Sequence, residues 1–491
     1  MYGLRAFYAP LTAARSRVRI LGAVKRIRVV AILVLGAAAV TAGAFAGGSK
    51  SRADSRPNIL VFETDDQTVE SMRVLANVQR LIGAQGVTFD SSFVSFSLCC
   101  PSRATFLTGQ YAHNHGVMGN KPPEGGYYKL DSSNTLPVWL QKAGYNTVHL
   151  GKYLNGYGTK DPREIPPGWS EWHGSVDPST YRFYDFTLNE NGALHTYKRR
   201  YKTDLYAEKG AEIVRRRARQ AKPFFLWVAF LAPHSGGPRE PGDPKYATPV
   251  PAPRHRDRLA NEPLPVPASF NEADVSDKPQ VVSRRRLLRP REVQAIQEMY
   301  QQRLESLLAV DEAVARVMAA LRASGELDKT LVVFTSDNGY FHGEHRIPQG
   351  KVLLYEPSIR VPLLMRGPGI PRGVHLGQMV GNIDLAPTFV DAANATPGRA
   401  MDGRSLLPLV ANPRLPWRDD LLLETSSYMA LRTSRYLYAE YENGDRELYD
   451  LVRDPDELES KHADPAFAAV RAELATRLGL LRNCHGPGCR L

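Results

Sequence analysis

The sequence predicts an α/β protein: a mostly parallel sheet flanked by helices, followed by a smaller C-terminal antiparallel subdomain and helix. Two observations carry this reading. Three short, continuously apolar runs, Pro57–Phe62, Pro223–Leu231 and Thr330–Thr335, have the character of strands buried on both faces. Helical patterns separate them, which is the alternation expected of a parallel sheet covered on both sides. A third observation concerns function. Each run ends in polar residues: Asp65-Asp66, Pro233-His234 and Asp337-Asn338-Gly339. In such sheets ligands gather beyond the carboxyl ends of the strands, so one edge receives all three groups.

Taken in order, the chain opens with a basic stretch and the apolar run Val29–Gly36, which continues in small residues to Ala44-Phe45-Ala46. This reads as a signal peptide over 1–46, with an uncleaved N-terminal anchor as the alternative. Either way, the product is secreted or at the cell surface. A polar linker follows over 47–56, then a catalytic domain over 57–416. The longest helical pattern runs from Arg291 to Ala323, with Leu304, Leu307, Leu308, Val314, Val317, Met318 and Leu321 at helical spacing. Residues 236–290 form a Pro- and Arg-rich excursion; a structureless segment of that length is usually functional or disordered. The subdomain 417–491 begins with short strand-like runs and ends in a helix near Phe467–Leu481.

Net charge is +12 over 491 residues, but seven Lys/Arg and no acid fall within 1–46. Without them, 56 basic residues face 51 acidic ones. The excess belongs to the leader, so the balance argues against a nucleic-acid partner while suiting a polyanionic substrate. The four cysteines form two pairs. Cys484 and Cys489 flank a Gly/Pro turn and are expected to form a disulfide in an exported protein.

Asp65, Asp66, Asp337 and Asn338 offer three carboxylates and an amide oxygen, hard ligands suited to Ca²⁺ or Mg²⁺. No His/Cys cluster of zinc type accompanies them. Either acidic pair alone is an ordinary turn; together at equivalent strand ends they favour a metal. The remaining pair stands in Ser97-Leu98-Cys99-Cys100-Pro101-Ser102-Arg103, followed by Leu107-Thr108-Gly109. Pro101 and Arg103 lie two and four residues after Cys99.

On these motifs the chain resembles the type I, formylglycine-dependent sulfatases of the alkaline-phosphatase-like superfamily. Phe93–Val117 and Gly151–Tyr157 are most similar to the N-acetylglucosamine-6-sulfatase and heparan 6-O-endosulfatase branch. The resemblance implies conversion of Cys99 to formylglycine by a formylglycine-generating enzyme, and a Ca²⁺ held by Asp65, Asp66, Asp337, Asn338 and the modified Cys99. It implies that Arg103 holds the formylglycine hydrate, that Lys152 and Lys351 grip sulfate oxygens, and that His234 transfers protons. A sulfated carbohydrate such as glucosamine-6-sulfate is the implied substrate. Many sulfatases carry a histidine two places after the equivalent of Lys152, where this chain has Leu154. His113, His115 and His345 also lie in family-like stretches, with substrate contact and structural bonding both open. The competing readings are a phosphonate or phosphodiester hydrolase of the same superfamily and a catalytically dead polyanion-binding protein.

Overall fold

A computed structural model describes residues 54–490; the 1–46 leader and the start of the linker lie outside the described residues. Ten strands form the main sheet: β1 (Asn58–Thr64), β2 (Val87–Phe89), β3 (Asn146–Gly151), β4 (Glu171–Ser175), β5 (Phe186–Glu190), β6 (Ala193–Tyr197), β7 (Phe224–Ala229), β8 (Thr330–Ser336), β9 (Leu363–Arg366) and β10 (Val374–Leu376). Their order is β10-β2-β9-β8-β1-β7-β3-β4-β5-β6. The central five, β8-β1-β7-β3-β4, are parallel. Strand β9 runs against both its neighbours, and the antiparallel β5–β6 hairpin closes the other edge. The three apolar runs are thus adjacent central strands.

Alternate residues of these strands feed two separate cores. Ile59, Val61, Phe225, Trp227, Leu331 and Val333 face α1 (Cys99–Thr108), where Phe106 packs on Trp227 with ring centres 4.7 Å apart. Leu60, Phe62, Leu226, Val228, Val332 and Phe334 face α2 (Lys202–Arg217) and α3 (Pro290–Ala323). Full burial of each such side chain contributes about 1.5–3 kcal/mol, which is why continuous apolar runs are tolerated only here. Helix α3 starts at a proline, with the Arg289 N–H donating to Glu292 at 2.9 Å.

The excursion 236–290 is ordered although almost free of regular structure, with a short helix at Gln280–Ser283. Tyr246, Leu264 and Leu288 pack on Ile296, Met299 and Tyr300 of α3, so apolar anchors hold what the composition suggested was loose. Arg286 is engaged by Glu292 at 2.8 Å.

The C-terminal antiparallel sheet comprises β11 (Asp420–Glu424), β12 (Tyr428–Thr433), β13 (Tyr436–Tyr441) and β14 (Arg446–Asp450), covered by α4 (Ala468–Leu481). Leu474, Leu478 and Leu481 of α4 share a core with Leu431, Tyr438, Phe93, Tyr111 and Tyr355. Cys484 and Cys489 are disulfide-bonded. Among the described residues no helix is long and apolar enough to cross a membrane.

Candidate active site

Strand register delivers the acidic groups. Thr64 lies opposite Ser336, and the Asp337 N–H donates to the Thr64 carbonyl at 3.1 Å, so the chain leaves β1 and β8 at one level. Asp66 adopts φ 69°, a left-handed conformation that costs a non-glycine residue on the order of 1 kcal/mol. Its N–H donates to Asp337 Oδ1 at 3.1 Å and its carboxylate accepts from Asn338 Nδ2 at 2.6 Å.

Cys99 is the first residue of α1, whose N-terminal dipole favours negative charge beside it. Glycine 109 ends the helix at φ 68°, in the left-handed cap conformation. The thiol is buried, 2.9 Å from Lys351 Nζ, 3.4 Å from Lys152 Nζ and 3.5 Å from Asp65 Oδ1. Burial, with Asp65 adding to it, pushes the thiol up to about 12. Burial thus favours the protonated thiol over the thiolate, the form that attacks.

Lys152 pairs with Asp65, and Lys351 with Asp66. Burial alone would lower both lysines, but the carboxylates outweigh it and hold each above the ordinary lysine range. Burial likewise opposes ionisation of Asp65 and Asp66, and the surrounding cations, Lys152 and Lys351 foremost, keep both carboxyls low. Asp337 is raised to about 6 by burial. Lys152 is aimed inward by Gly151, at φ 119°, where a Cβ would meet the Ala229 carbonyl oxygen at 2.0 Å. Only glycine turns the chain so close to β7.

Three of the residues expected around a metal come together with His234, which was expected in proton transfer. Asp65, Asp66, Cys99 and His234 each offer a ligand atom, all within 4.8 Å of one another. Asn338 Oδ1 is buried and accepts no hydrogen bond among the described residues, an arrangement that costs about 1–3 kcal/mol unless a cation or donor meets it. Three buried carboxylates and a free amide oxygen fit a hard divalent ion. His234, expected in proton transfer, stands 3.8 Å from Asp66 Oδ2; its side chain is 19% exposed against 11% for Lys351 and 2% for Lys152. It is the most open of these groups, and burial lowers its pKa.

Arg103 is placed one turn below Cys99 and reaches carboxylates: Asp337 at 2.9 Å and Glu63 at 2.9 Å, with the Lys152 carbonyl at 3.0 Å. It braces Glu63 and Asp337 at the ends of β1 and β8. Leu154 is buried in the apolar core. His113 is bound by Glu424 and the Cys484 carbonyl, His115 by Thr105, and His345 by Glu272, so internal hydrogen bonds hold all three.

Sequence reasoning missed Glu63, Arg303, Tyr181 and Asn155. Glu63 precedes the aspartates at the end of a buried strand and is raised to about 8 by burial, which Arg103 partly offsets. Arg303 bonds the Asp66 and Pro233 carbonyls; an arginine four residues before Leu307 on the apolar face of α3 was its legible signal. Tyr181 had no signal, since only the fold brings it to Lys152.

The family model described as Sulfatase matches residues 57–395. The chain belongs to the sulfatase family. Sulfatases are sulfuric ester hydrolases, and a second model, N-sulphoglucosamine sulphohydrolase, C-terminal, matches residues 343–484. The chain is 33% identical to the N-acetylglucosamine-6-sulfatase of Homo sapiens, over 94% of this chain and 89% of that one. It is 36% identical to an extracellular sulfatase Sulf-1 homolog of Caenorhabditis elegans, over 78% of this chain but only 55% of that protein's length. A solved structure in complex with its substrate D-glucosamine-2-N,6-O-disulfate superposes with a TM-score of 0.74 at 25% identity, covering 86% of this chain and 97% of that one.

Proposed function

We propose that this sulfatase hydrolyses O-6 sulfate esters of glucosamine-type units in sulfated carbohydrate, after Cys99 is converted to formylglycine by a formylglycine-generating enzyme. The single observation that carries the reading is residue 99 held between Lys351 and Lys152 and beside Asp65, at the N-terminus of α1. When formed, the hydrated formylglycine would supply one hydroxyl to attack sulfur and a second to expel sulfate, and a bound Ca²⁺ would supply positive charge against the sulfate oxygens. Asp65, Asp66, Asp337 and Asn338 would hold the ion, with Arg103 orienting Asp337. Lys351 and Lys152 place fixed positive charge where the sulfate and the departing oxygen carry negative charge, in a water-poor site where such charge acts strongly. His234, at the open side, holds or delivers the proton at the ester oxygen. The glucosamine-6-sulfate assignment draws on the human relative and on the substrate of the superposed structure. Export draws on the leader sequence and on the C. elegans relative's description.

The test joins two measurements: peptide mass mapping around residue 99, and sulfate release from 6-O-sulfated glucosamine oligosaccharides compared with hydrolysis of a phosphate diester. Formylglycine at 99 with preferential sulfate release supports the reading. An unmodified thiol in active protein overturns the nucleophile, and preferential cleavage of the diester overturns the substrate class.

A further inference from the structure

The wall of the site beside Lys152 is formed by Tyr181. Tyr181 closes the short turn Ser179–Tyr181 between β4 and β5. Its ring centre lies 5.0 Å from Lys152 Nζ and 5.1 Å from the centre of the His234 ring. Its hydroxyl accepts a hydrogen bond from Asn155 Nδ2 at 2.5 Å, and the Asn155 N–H lies 3.0 Å from Cys100 Sγ. One tyrosine therefore touches the lysine and the histidine, and is fastened through Asn155 to the residue next to Cys99.

The turn that carries it is itself fixed. Gly237 N–H donates to the Tyr181 carbonyl at 2.8 Å, and a Cβ on Gly236 would meet that same carbonyl oxygen at 2.6 Å. From the far side the buried Lys202 donates to the Thr180 carbonyl at 2.6 Å. A buried lysine bonded to backbone carbonyls is an expensive way to hold a loop, and the residue so held is Tyr181.

We propose that Tyr181 is a positioning residue of the sulfatase reaction, whose ring holds the Lys152 ammonium and the His234 imidazole on the leaving-group side of residue 99, with Asn155 fixing the ring. The inference rests on the proposed roles of Lys152 and His234 at the ester oxygen. An aromatic face over a desolvated ammonium contributes about 0.5–2 kcal/mol. Without it, Lys152 is drawn toward Asp65 alone and its charge moves off the departing oxygen. A sugar alkoxide needs that charge, whereas a nitrophenolate leaves nearly unaided. Removing the ring therefore penalises sugar sulfates more than aryl sulfates.

The experiment compares kcat and KM of wild type, Tyr181→Leu, Tyr181→Phe and Asn155→Ala on a glucosamine-6-sulfate oligosaccharide and on 4-nitrophenyl sulfate, with formylglycine occupancy measured in each preparation. Tyr181→Leu should lower kcat on the sugar about tenfold more than on the aryl ester, from the upper part of that energy range. Tyr181→Phe keeps the ring and should restore most of the sugar rate. Equal losses on both substrates, or no loss on either, overturn the inference. If Tyr181→Leu does not fold, Asn155→Ala must show the same substrate bias at smaller size, and its failure to do so is equally decisive. Wild-type protein carrying formylglycine yet inert on both sulfates would instead overturn the functional reading beneath it.

Discussion

A lone glutamate and a cluster of aspartates in this molecule look alike by burial and differ in how their oxygens are used. In the C-terminal sheet, Glu447 of β14 is fully buried and accepts hydrogen bonds from the hydroxyls of Tyr355, Tyr441 and Tyr449, each at 2.6 Å. Both its carboxylate oxygens are satisfied by neutral donors. At the ends of β1 and β8, Asp65, Asp66 and Asp337 are as deeply buried but are balanced by Lys152, Lys351 and Arg103, and Asn338 Oδ1 is left without a donor. The first arrangement is complete and holds a fold; the second is charged and open to a ligand. Burial of acid by itself is therefore no mark of a site; ion pairing and an unmet amide oxygen are what set the second arrangement apart. The two arrangements are also linked. Tyr355 lies four residues after Lys351, and Tyr428 OH donates to the Val352 carbonyl at 2.6 Å, so the C-terminal sheet secures the loop that carries Lys351.

The comparison is broken most severely at residue 99. Cys99→Ala should abolish turnover while Cys100→Ala keeps much of it, measured as sulfate release from folded protein. The reverse order would place the chemistry on the wrong cysteine. Next in size, exhaustive chelation or Asp337→Ala should remove activity, with Ca²⁺ restoring the chelated wild type better than Zn²⁺ because the proposed ligands are oxygen. Metal analysis of both proteins checks this.

At Glu447 the expected loss is of stability. Glu447→Leu leaves the buried phenols of Tyr355 and Tyr449 and the half-buried phenol of Tyr441 without an acceptor and should lower unfolding free energy by about 3 kcal/mol in denaturant titration. Glu447→Gln, which retains a carbonyl acceptor, should cost less, and kcat should stay within about twofold while the protein is folded. The pH dependence carries a sign. Burial raises the Glu447 pKa above its unfolded value of 4.5, against three tyrosine hydrogen bonds that lower it. Its contribution is fully present below pH 4.5 and is lost as pH rises through the folded value, so Glu447→Gln should flatten that part of the stability profile. Tyr428→Phe should act through the Lys351 loop, lowering kcat about threefold with a stability cost near 1 kcal/mol.

The smallest effect is expected at the disulfide. Replacing Cys484 and Cys489 with serine opens a loop of five residues' separation, so melting temperature should fall by only a few degrees at unchanged kcat. A large rate loss in folded protein would make the C-terminal loop part of the active site.

Much of this was legible in the chain. Continuous apolar runs at 57–62, 223–231 and 330–335 announce strands buried on both faces because only the middle of a covered sheet accepts them. Polar residues at their ends announce a shared edge. The Cys99–Arg103 motif singles out Cys99 over Cys100 through the family resemblance, while its place at the start of a helix at that edge came from the fold. The helix around Arg291–Ala323 was equally plain from its period. The excursion 236–290 was less legible, because Tyr246, Leu264 and Leu288 are too widely spaced for any period to reveal them as anchors.

What the sequence by itself determined is therefore the class of fold, the ends of the central strands, the acidic residues that follow them and the cysteine motif at residues 99–103, all of which depend on local pattern or short spacing. The tertiary structure alone decided which charges meet. It sent Arg103 to Glu63 and Asp337, set Lys152 and Lys351 on opposite aspartates across Cys99, and brought Tyr181 and Asn155 to the wall. The reason is physical: ion pairing and ring contacts act over a few ångströms between residues tens to hundreds of positions apart, and no periodicity in the chain records them.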